Sequence, residues 1–554
     1  MASALACGRV CGRVMAPRAR RAALAAVMAV AVLLVCAAPH ARARGALASG
    51  ALAPPTPGVR TATGDFTAAQ QRNTLRVLDA FAAAMPWLGW TGNDFCTWAG
   101  VTCSTRGATI ALTAPVTDSG TLPDLPDDVD YTLVTIWSIW LRRDGEPTTG
   151  TLPASWGRLR ELAFVTLTGD GFSGSLPAAW GSLAMLKMLR VLGGSVSGTL
   201  PWEWCGMTAL EVLTLSSTQV SGALPPEWAS MRSLRLVDLS GAQLSGTLPP
   251  QWASMPTLES LSLRRTHVTG TLPASWGSMA TLRVLNVSGT QLSGTLPPEW
   301  GSMRLMTEMA LHETRLSGAL PAEWRSLRSI ARLSLSDTAL SGTLPASWSS
   351  MSALAVLELV RTGVSGSLPA EWASMRLLQR LDASQSRLSG TLPPEWSAMP
   401  AVTSIDLQLN SLRGSLPASW SRMARIQRLT LQHNDFCGCV PASWTAVATL
   451  TVDVDARHRA ADCATAAACP APTPEESSSV ESSSSGESAV GCDVANCAEC
   501  LPGSATACRT CDRDHALTNT STCARISGAG AGVVSTAAAA VVSAAVVAVF
   551  LATV

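Results

Sequence analysis

Neither sign of charge is in excess. Forty basic residues stand against 39 acidic ones in 554, a formal charge of +1, which gives no electrostatic case for nucleic acid. A catalytic constellation is missing too. No serine–histidine–acid set, phosphate loop or metal quartet stands out. The six histidines are scattered; His267 and His312 fall at unrelated repeat positions, and each reads as structural. The expectation is a protein with no cofactor and no enzymatic activity. Cysteine is nearly absent from the middle of the chain. Of 16 cysteines, Cys205 lies alone there, near the buried column of Trp204, and reads as an unpaired core residue. The others gather at the edges of the repeats, which points to disulfide-stapled caps in an oxidising compartment.

What is present is a period. From Gly150 to Trp444 a Gly-x-Leu-Pro signature (once Gly-Cys-Val-Pro), with a tryptophan six residues after its glycine, returns every 24 residues, through Trp156, Trp180, Trp204 and so on to Trp420 and Trp444. A fixed period of this size marks a solenoid, in which each unit buries its apolar side against its neighbours. In the unit from Gly222, apolar residues run Leu224, Trp228, Met231, Leu234, Val237, Leu239, Leu244. The spacing is three from Trp228 to Val237 and then drops to two at Leu239. Threes match a short 3₁₀ or irregular turn and twos match a strand. Each unit therefore carries one short strand near Leu236 to Leu239, and strands that always point one way form a parallel sheet. Pro225 and Pro226 suit the irregular return limb, because proline removes a ladder donor. Gly222 marks a tight bend or a close backbone approach. The strict register of the tryptophans reads as core packing; stacking on a carbohydrate or cofactor would need exposed rings.

This unit resembles the plant-type leucine-rich repeat. That repeat normally carries asparagine after the strand, whereas here the column reads Thr218, Ala242, Thr266, Thr290, Thr314, Thr338, Thr362 and Ser386 before Asn410 and Asn434. A hydroxyl makes fewer bonds there than an amide. A mostly threonine ladder with tryptophan in a leucine position is similar to the promastigote surface antigen family of kinetoplastid parasites, and the likeness covers nearly the whole chain. It implies a leucine-rich-repeat solenoid, a curved parallel β-sheet with an irregular or 3₁₀ convex side and disulfide-bonded caps. It also implies display at the cell surface on a lipid anchor, with secretion as a further form, and contact with host macrophage receptors or complement components. The alternative is a secreted inhibitor of an extracellular enzyme, as some plant repeat proteins of this type are.

In chain order, Arg18, Arg20 and Arg21 precede an apolar run from Ala22 to Ala38 that reads as a secretory signal over residues 1–43, with a retained signal anchor as the alternative. Residues 44–64 form a flexible lead. Residues 65–107 form a cap: Phe66, Ala69, Leu75, Leu78, Phe81, Ala82 and Met85 have helical spacing, and Cys96 to Cys103 resembles the N-terminal cap of plant-type repeats, in which the two cysteines pair. Residues 108–436 hold the repeats. The step from Gly120 to Gly150 is 30 residues, so Asp124 to Asp130 and Trp137 to Arg143 belong to an irregular unit with an insertion. With roughly 13–15 strands at about 4.8 Å each, the sheet is expected to run on the order of 60–70 Å.

Cys437, Cys439, Cys463 and Cys469 close a C-terminal cap over 437–469. Residues 470–490 are a proline- and serine-rich linker whose serines, by the resemblance, accept sugar or phosphosugar. Residues 491–523 hold Cys492, Cys497, Cys500, Cys508, Cys511 and Cys523. Their two Cys-x-x-Cys pairs would also suit zinc, but the secretory route favours three disulfides of unassigned pairing. Residues 524–554 end in an apolar run from Val533 with no charge after it. This reads as a lipid-anchor signal with attachment at Ser527 or Gly528, against a membrane-spanning tail. Asn286 and Asn519 stand in glycosylation triplets.

One strand column faces the concave side: Asp238, Ser262, Asn286, Ala310, Ser334, Glu358, Asp382, Asp406, Thr430. Glu358, Asp382 and Asp406 fall on successive rungs about 5 Å apart, a spacing that acid–base or glycosidase chemistry would also use. However, Arg332, Arg380 and Arg428 precede the same column by two residues, and Arg361 sits at the strand exit. The arginines are expected to balance the acids, which makes a mixed-charge docking patch or a plain solvated face. Arg264 and Arg265 form a second basic point, two rungs before His312 and Glu313.

Overall fold

The computed structural model describes residues 66–104, 107–114, 121–143, 150–169, 171–466 and 468–469, with four short strands between 497 and 525. The chain divides into two units, Met1–Cys469 and Pro470–Val554. The expected signal, lead, linker and anchor segments lie outside the described residues, as do Asn519, Ser527 and Gly528.

The first unit is a solenoid built on one 16-stranded sheet. Its strands include Met188–Leu192, Leu236–Asp238, Val284–Asn286, Arg380–Asp382 and Arg428–Thr430. Neighbours pair in parallel without slipping, so Leu236, Val237 and Asp238 meet Ser260, Leu261 and Ser262. The middle residue of each three points inward: Val237, Leu261, Leu285 and Leu333 are fully buried. One pair departs from the one-way rule. Val101–Ser104 runs antiparallel to Gly107–Ala114, because the cap's hairpin closes an edge that has no preceding repeat to pair with. The irregular unit contributes a full strand, Ile136–Arg143, parallel to Gly107–Ala114 with a register shift beside Ala108.

From Trp156 to Trp420 each return limb holds a 3₁₀ turn that starts just after the signature proline and carries the tryptophan, as in Ala274–Ser278 and Pro298–Ser302, and at Trp444 a short α-helix, Ala442–Thr445, takes its place. Proline fits the first turn because its missing N–H has no partner to lose there. The indoles are fully buried and lie nearly parallel. Trp252 and Trp276 have ring centroids 6.5 Å apart at 4°, and Trp396 and Trp420 are 5.9 Å apart at 7°. Each indole also donates Nε1–H across to the signature-proline carbonyl of the preceding unit, for example Trp180 to Pro153 at 2.9 Å, Trp276 to Pro249 at 3.0 Å and Trp420 to Pro393 at 2.9 Å. Rungs are wider at the indoles than the roughly 4.8 Å between strands. They therefore fan outward on the tryptophan side, and the sheet becomes the concave face.

A second ladder runs beside the turns, formed by the Ser-Gly-Thr of each signature. Ser293–Thr295 pairs with Arg315–Ala319, and that strand with Ala339–Ser341. Serine hydroxyls donate to glycine carbonyls one rung back, as Ser293 does to Gly270 at 3.3 Å. At Gly222 both expectations hold: φ is +79°, and an added Cβ would stand 2.8 Å from the Thr199 methyl. The sequence reading gave this segment to an irregular limb. Its strands are two to five residues long and lack apolar alternation, so periodicity does not reveal them.

Both ends are covered. The helix Ala68–Ala84 is capped by Thr67 and Gln70, and it buries Thr74, Val77, Leu78 and Phe81. Phe81 lies against Trp156, centroids 5.7 Å apart, so the helix closes the indole column. Cys96 is bonded to Cys103. At the other end, Cys437–Cys469 encloses Cys439–Cys463. Loops of this length contribute about 3 kcal/mol each in the chain-entropy account. Cys205 corrects the sequence reading: it is disulfide-bonded. It stays in the core, 2% exposed, so the core placement holds and the pairing is what changes.

In the second unit, Cys497–Cys500 and Cys508–Cys511 pair antiparallel, with Cys497 opposite Cys511 and Cys500 opposite Cys508. His515–Leu517 pairs with Cys523–Arg525. The bonding of its cysteines lies outside the described residues.

Trp276→Phe keeps most of the buried ring and removes the hydrogen bond between rungs, while the Pro249 carbonyl keeps the Trp252 N–H at 3.2 Å. A loss of about 1 kcal/mol is expected, the net contribution of one hydrogen bond. It should be read as a lower urea midpoint at unchanged slope. A shift under 0.5 kcal/mol would show that the indole N–H is dispensable.

Candidate functional site

The concave face is where side chains of fixed spacing meet solvent. Along its middle column the register runs Ser334, Glu358, Asp382, Asp406, Thr430, Asp453. Asp453 follows a 23-residue step, so the 24-residue column of the sequence missed it. The three predicted acids do fall on adjacent rungs. Arg332, Arg380 and Arg428 share a second column, separated by Val356 and Ser404.

The expected charge balance is partial. Arg380 Nη2 reaches Asp382 Oδ2 at 3.2 Å. Among the described residues no ion pair joins Arg332 or Arg428 to the acids, because each stands beside an uncharged or small residue of the middle column, Ser334 or Thr430. Arg361 pairs with Asp337 one rung back. Asp382 also accepts from Ser384 Oγ at 2.8 Å, and Asp406 Oδ1 accepts from the Gln408 N–H at 3.1 Å. Burial pushes the Asp406 carboxyl up to about 6; the Gln408 N–H and Arg380 oppose this, and neighbouring Asp382 and Asp453 reinforce it.

Arg265, Glu313 and Arg361 lie in left-handed backbone, with φ of 55°, 56° and 52°. Non-glycine residues pay for that conformation, but the same position recurs at Asp337, Gln385, Leu409 and His433. The strain therefore belongs to the repeat and marks no special site. It is held by the rung ahead, where the Arg265 N–H reaches the Ser288 carbonyl at 2.8 Å. Near the second basic point, His312 Nδ1 lies 3.1 Å from Ser334 Oγ. Burial holds its imidazole below the usual value against the pull of Glu313 and Glu358. Asn286 lies mid-sheet, its side-chain oxygen accepting from the Ser288 N–H and Oγ at 3.1 and 2.7 Å.

The post-strand column behaves as its chemistry predicts. Thr290 makes one bond, to the Val287 carbonyl at 2.8 Å. Asn410 donates to the carbonyls of Leu407 and Ala383 and accepts from the Leu388 N–H at 3.0 Å, tying rungs together.

The sequence reading passed over the entrance to the sheet. There Trp140, Thr166, Arg190 and Thr214 hold the middle column, ahead of Asp238, where that reading began. Among the described residues no group of three or more histidine, cysteine or acidic side chains could hold a metal ion, and no helix is long and apolar enough to cross a membrane.

Asp406 fixes a pH dependence. Its folded-state pKa lies above the ordinary carboxylate value, so the native chain keeps a proton that the unfolded chain loses. Stability therefore falls as pH rises from about 4 to about 6. Asp406→Asn should stabilise the protein at pH 7.5 by about 1 kcal/mol, allowing for solvent screening of a half-exposed group, and should match the wild type at pH 4. Denaturation curves at the two pH values check this; equal gains at both would assign the effect to something other than charge.

A leucine-rich-repeat family model matches residues 281–303, about one unit of the array. Over 160 residues the chain is 42% identical to surface membrane glycoprotein GP46/M-2 of Leishmania amazonensis, a stretch amounting to 28% of this chain and 30% of that protein. The chain thus matches less than a third of that relative's length. Among solved structures, a TDR receptor aligns with a TM-score of 0.52 at 23% identity over 61% of each chain. The plant peptide hormone receptor RGFR1 in complex with RGF2 aligns at 0.49 and 21%, over 65% of this chain and 72% of that one. At such identity the TDR receptor shows the fold alone. With its 24-residue unit, its one-way sheet backed by 3₁₀ turns and the fold shared with the TDR receptor, the chain is a leucine-rich-repeat solenoid, similar over 160 residues to a kinetoplastid surface membrane glycoprotein.

Proposed function

We propose that the protein is displayed at the cell surface on a glycosylphosphatidylinositol anchor attached at Ser527 or Gly528. Its concave sheet contacts proteins of the host cell surface or of complement, and the array shields the membrane beneath. The observation that carries this reading is the 42% identity to a surface membrane glycoprotein. The small residues Ser527, Gly528, Ala529 and Gly530 ahead of the apolar run from Val533 support anchor replacement. The concave face supports recognition: a rigid frame offers acids on successive rungs beside a column of arginines, and such patterned charge sets specificity and encounter rate. Asn286 lies on that same face, so a glycan there would mask its middle and leave the two ends accessible.

Treatment of intact cells with phosphatidylinositol-specific phospholipase C tests the display. The protein should leave the surface and appear in the medium. Retention after treatment would favour a spanning tail, and accumulation in the medium without treatment would favour a secreted inhibitor.

A further inference from the structure

At the N-terminal end of the concave face one cation is out of place. Arg190 sits mid-strand in Met188–Leu192, paired in register with Thr166 on one side and Thr214 on the other. Its Nε is buried and has no hydrogen-bond partner among the described residues, and the same holds for Thr166 Oγ1. Thr166 is 8% exposed and Thr214 is 6% exposed. Burial depresses the Arg190 guanidinium below its ordinary value, and Asp238, two rungs on, opposes this weakly. Asp238 is itself engaged by the N–H and hydroxyl of Ser240, at 3.1 and 2.5 Å. A buried guanidinium Nε and a buried hydroxyl on adjacent rungs, both without a hydrogen-bond partner among the described residues, cost the fold stability. Such a cost is retained where a ligand removes it.

We propose that Arg190, flanked by Thr166 and Thr214, binds a carboxylate of a polypeptide partner lying across the entrance of the concave face. The surroundings select the ligand. A guanidinium offers a planar fork that matches a carboxylate, and the Thr166 hydroxyl adds a donor beside it. The charge is single, and Asp238 stands close, so a monoanion is favoured over a doubly charged phosphate or a sulfated glycan. The flanks are apolar: Phe164, Met188 and Leu192 are half-buried around it, Trp140 lies two rungs away in the same column, and Phe164 is braced edge-on by Trp137 with centroids 4.8 Å apart. Half-buried apolar walls around one cation suit an aromatic or aliphatic side chain next to an acid, a chemistry that peptides carry and hydrated glycans lack.

The inference rests on reading the concave face as a recognition surface but not on the anchor. The test is calorimetric titration of the full chain with 3-phenylpropionate, with 3-phenylpropionamide, inorganic phosphate and sulfate as comparison arms. The carboxylate should bind saturably and the amide should not. Arg190→Met should weaken binding at least tenfold. Without ligand it should melt no lower than the wild type, because it removes a half-buried cation whose Nε has no hydrogen-bond partner among the described residues, at little change in volume. Thr166→Val, which leaves the cation in place, should weaken binding about fivefold, the loss of one charge-assisted donor. Unchanged affinity in Arg190→Met, a melting temperature several degrees lower in that variant, tighter binding of phosphate or sulfate than of the carboxylate, or no saturable binding would each overturn the proposal. None of these outcomes bears on release by the phospholipase, so the anchor and the site fail separately.

Discussion

One hydrogen bond, repeated, organises the repeat unit: the indole N–H of each tryptophan donates to the signature-proline carbonyl of the unit before it. That carbonyl also accepts the backbone N–H of its own unit's tryptophan, which closes the 3₁₀ turn, so the indole of the following unit takes its second lone pair. Leucine in the tryptophan position would fill the core but join the rungs by one hydrogen bond fewer. The indole does both jobs, with its ring inside and its polar edge aimed at the neighbouring rung. The bond also fixes the spacing of the rings, and the spacing of the rings gives the sheet its concavity.

The same interlock allows the other ladder to be weak. Threonines after the strand bond to their own rung, three residues back, and do little to join one rung to the next. Asn410 and Asn434 bond across rungs, near the end where the array must stop and the disulfide cap begins. Towards the middle, serine hydroxyls donating to glycine carbonyls and indoles donating to proline carbonyls carry the inter-rung polar bonding instead. A frame held from its convex side leaves the concave strands free of architectural duty at two of every three positions, and those positions are where charge varies from rung to rung.

That variation is polarised along the column. At the entrance lie Trp140, Thr166, Arg190 and Thr214, apolar-walled with one cation. Beyond Ser334 the face turns acidic, through Glu358, Asp382 and Asp406 to Asp453. Burial and mutual repulsion hold a proton on Asp406 at mildly acidic pH. Arg380 engages the acid on its own rung, whereas the arginines of the neighbouring column stand two residues away with no acid directly beside them on their rungs. The surface is patterned, and pattern of this kind discriminates among partners more than it adds raw affinity.

Period, strand position, 3₁₀ return, caps and the acid column were all legible from the sequence, because each follows from spacing, and spacing survives in one dimension. The core place of Cys205 was legible but its pairing was not, because a disulfide partner is set by the fold and not by repeat register. The Ser-Gly-Thr ladder was invisible because it has no apolar alternation. Arg190 could not be picked out as a site, since an arginine between two threonines on neighbouring rungs looks like any other solvated charge. What made it different was burial and a missing partner, and both are properties of the packed rungs around it. The sequence by itself determined how the chain coils. The tertiary structure decided which polar groups that coil leaves unsatisfied, because a hydrogen bond between units depends on distances that no single unit contains.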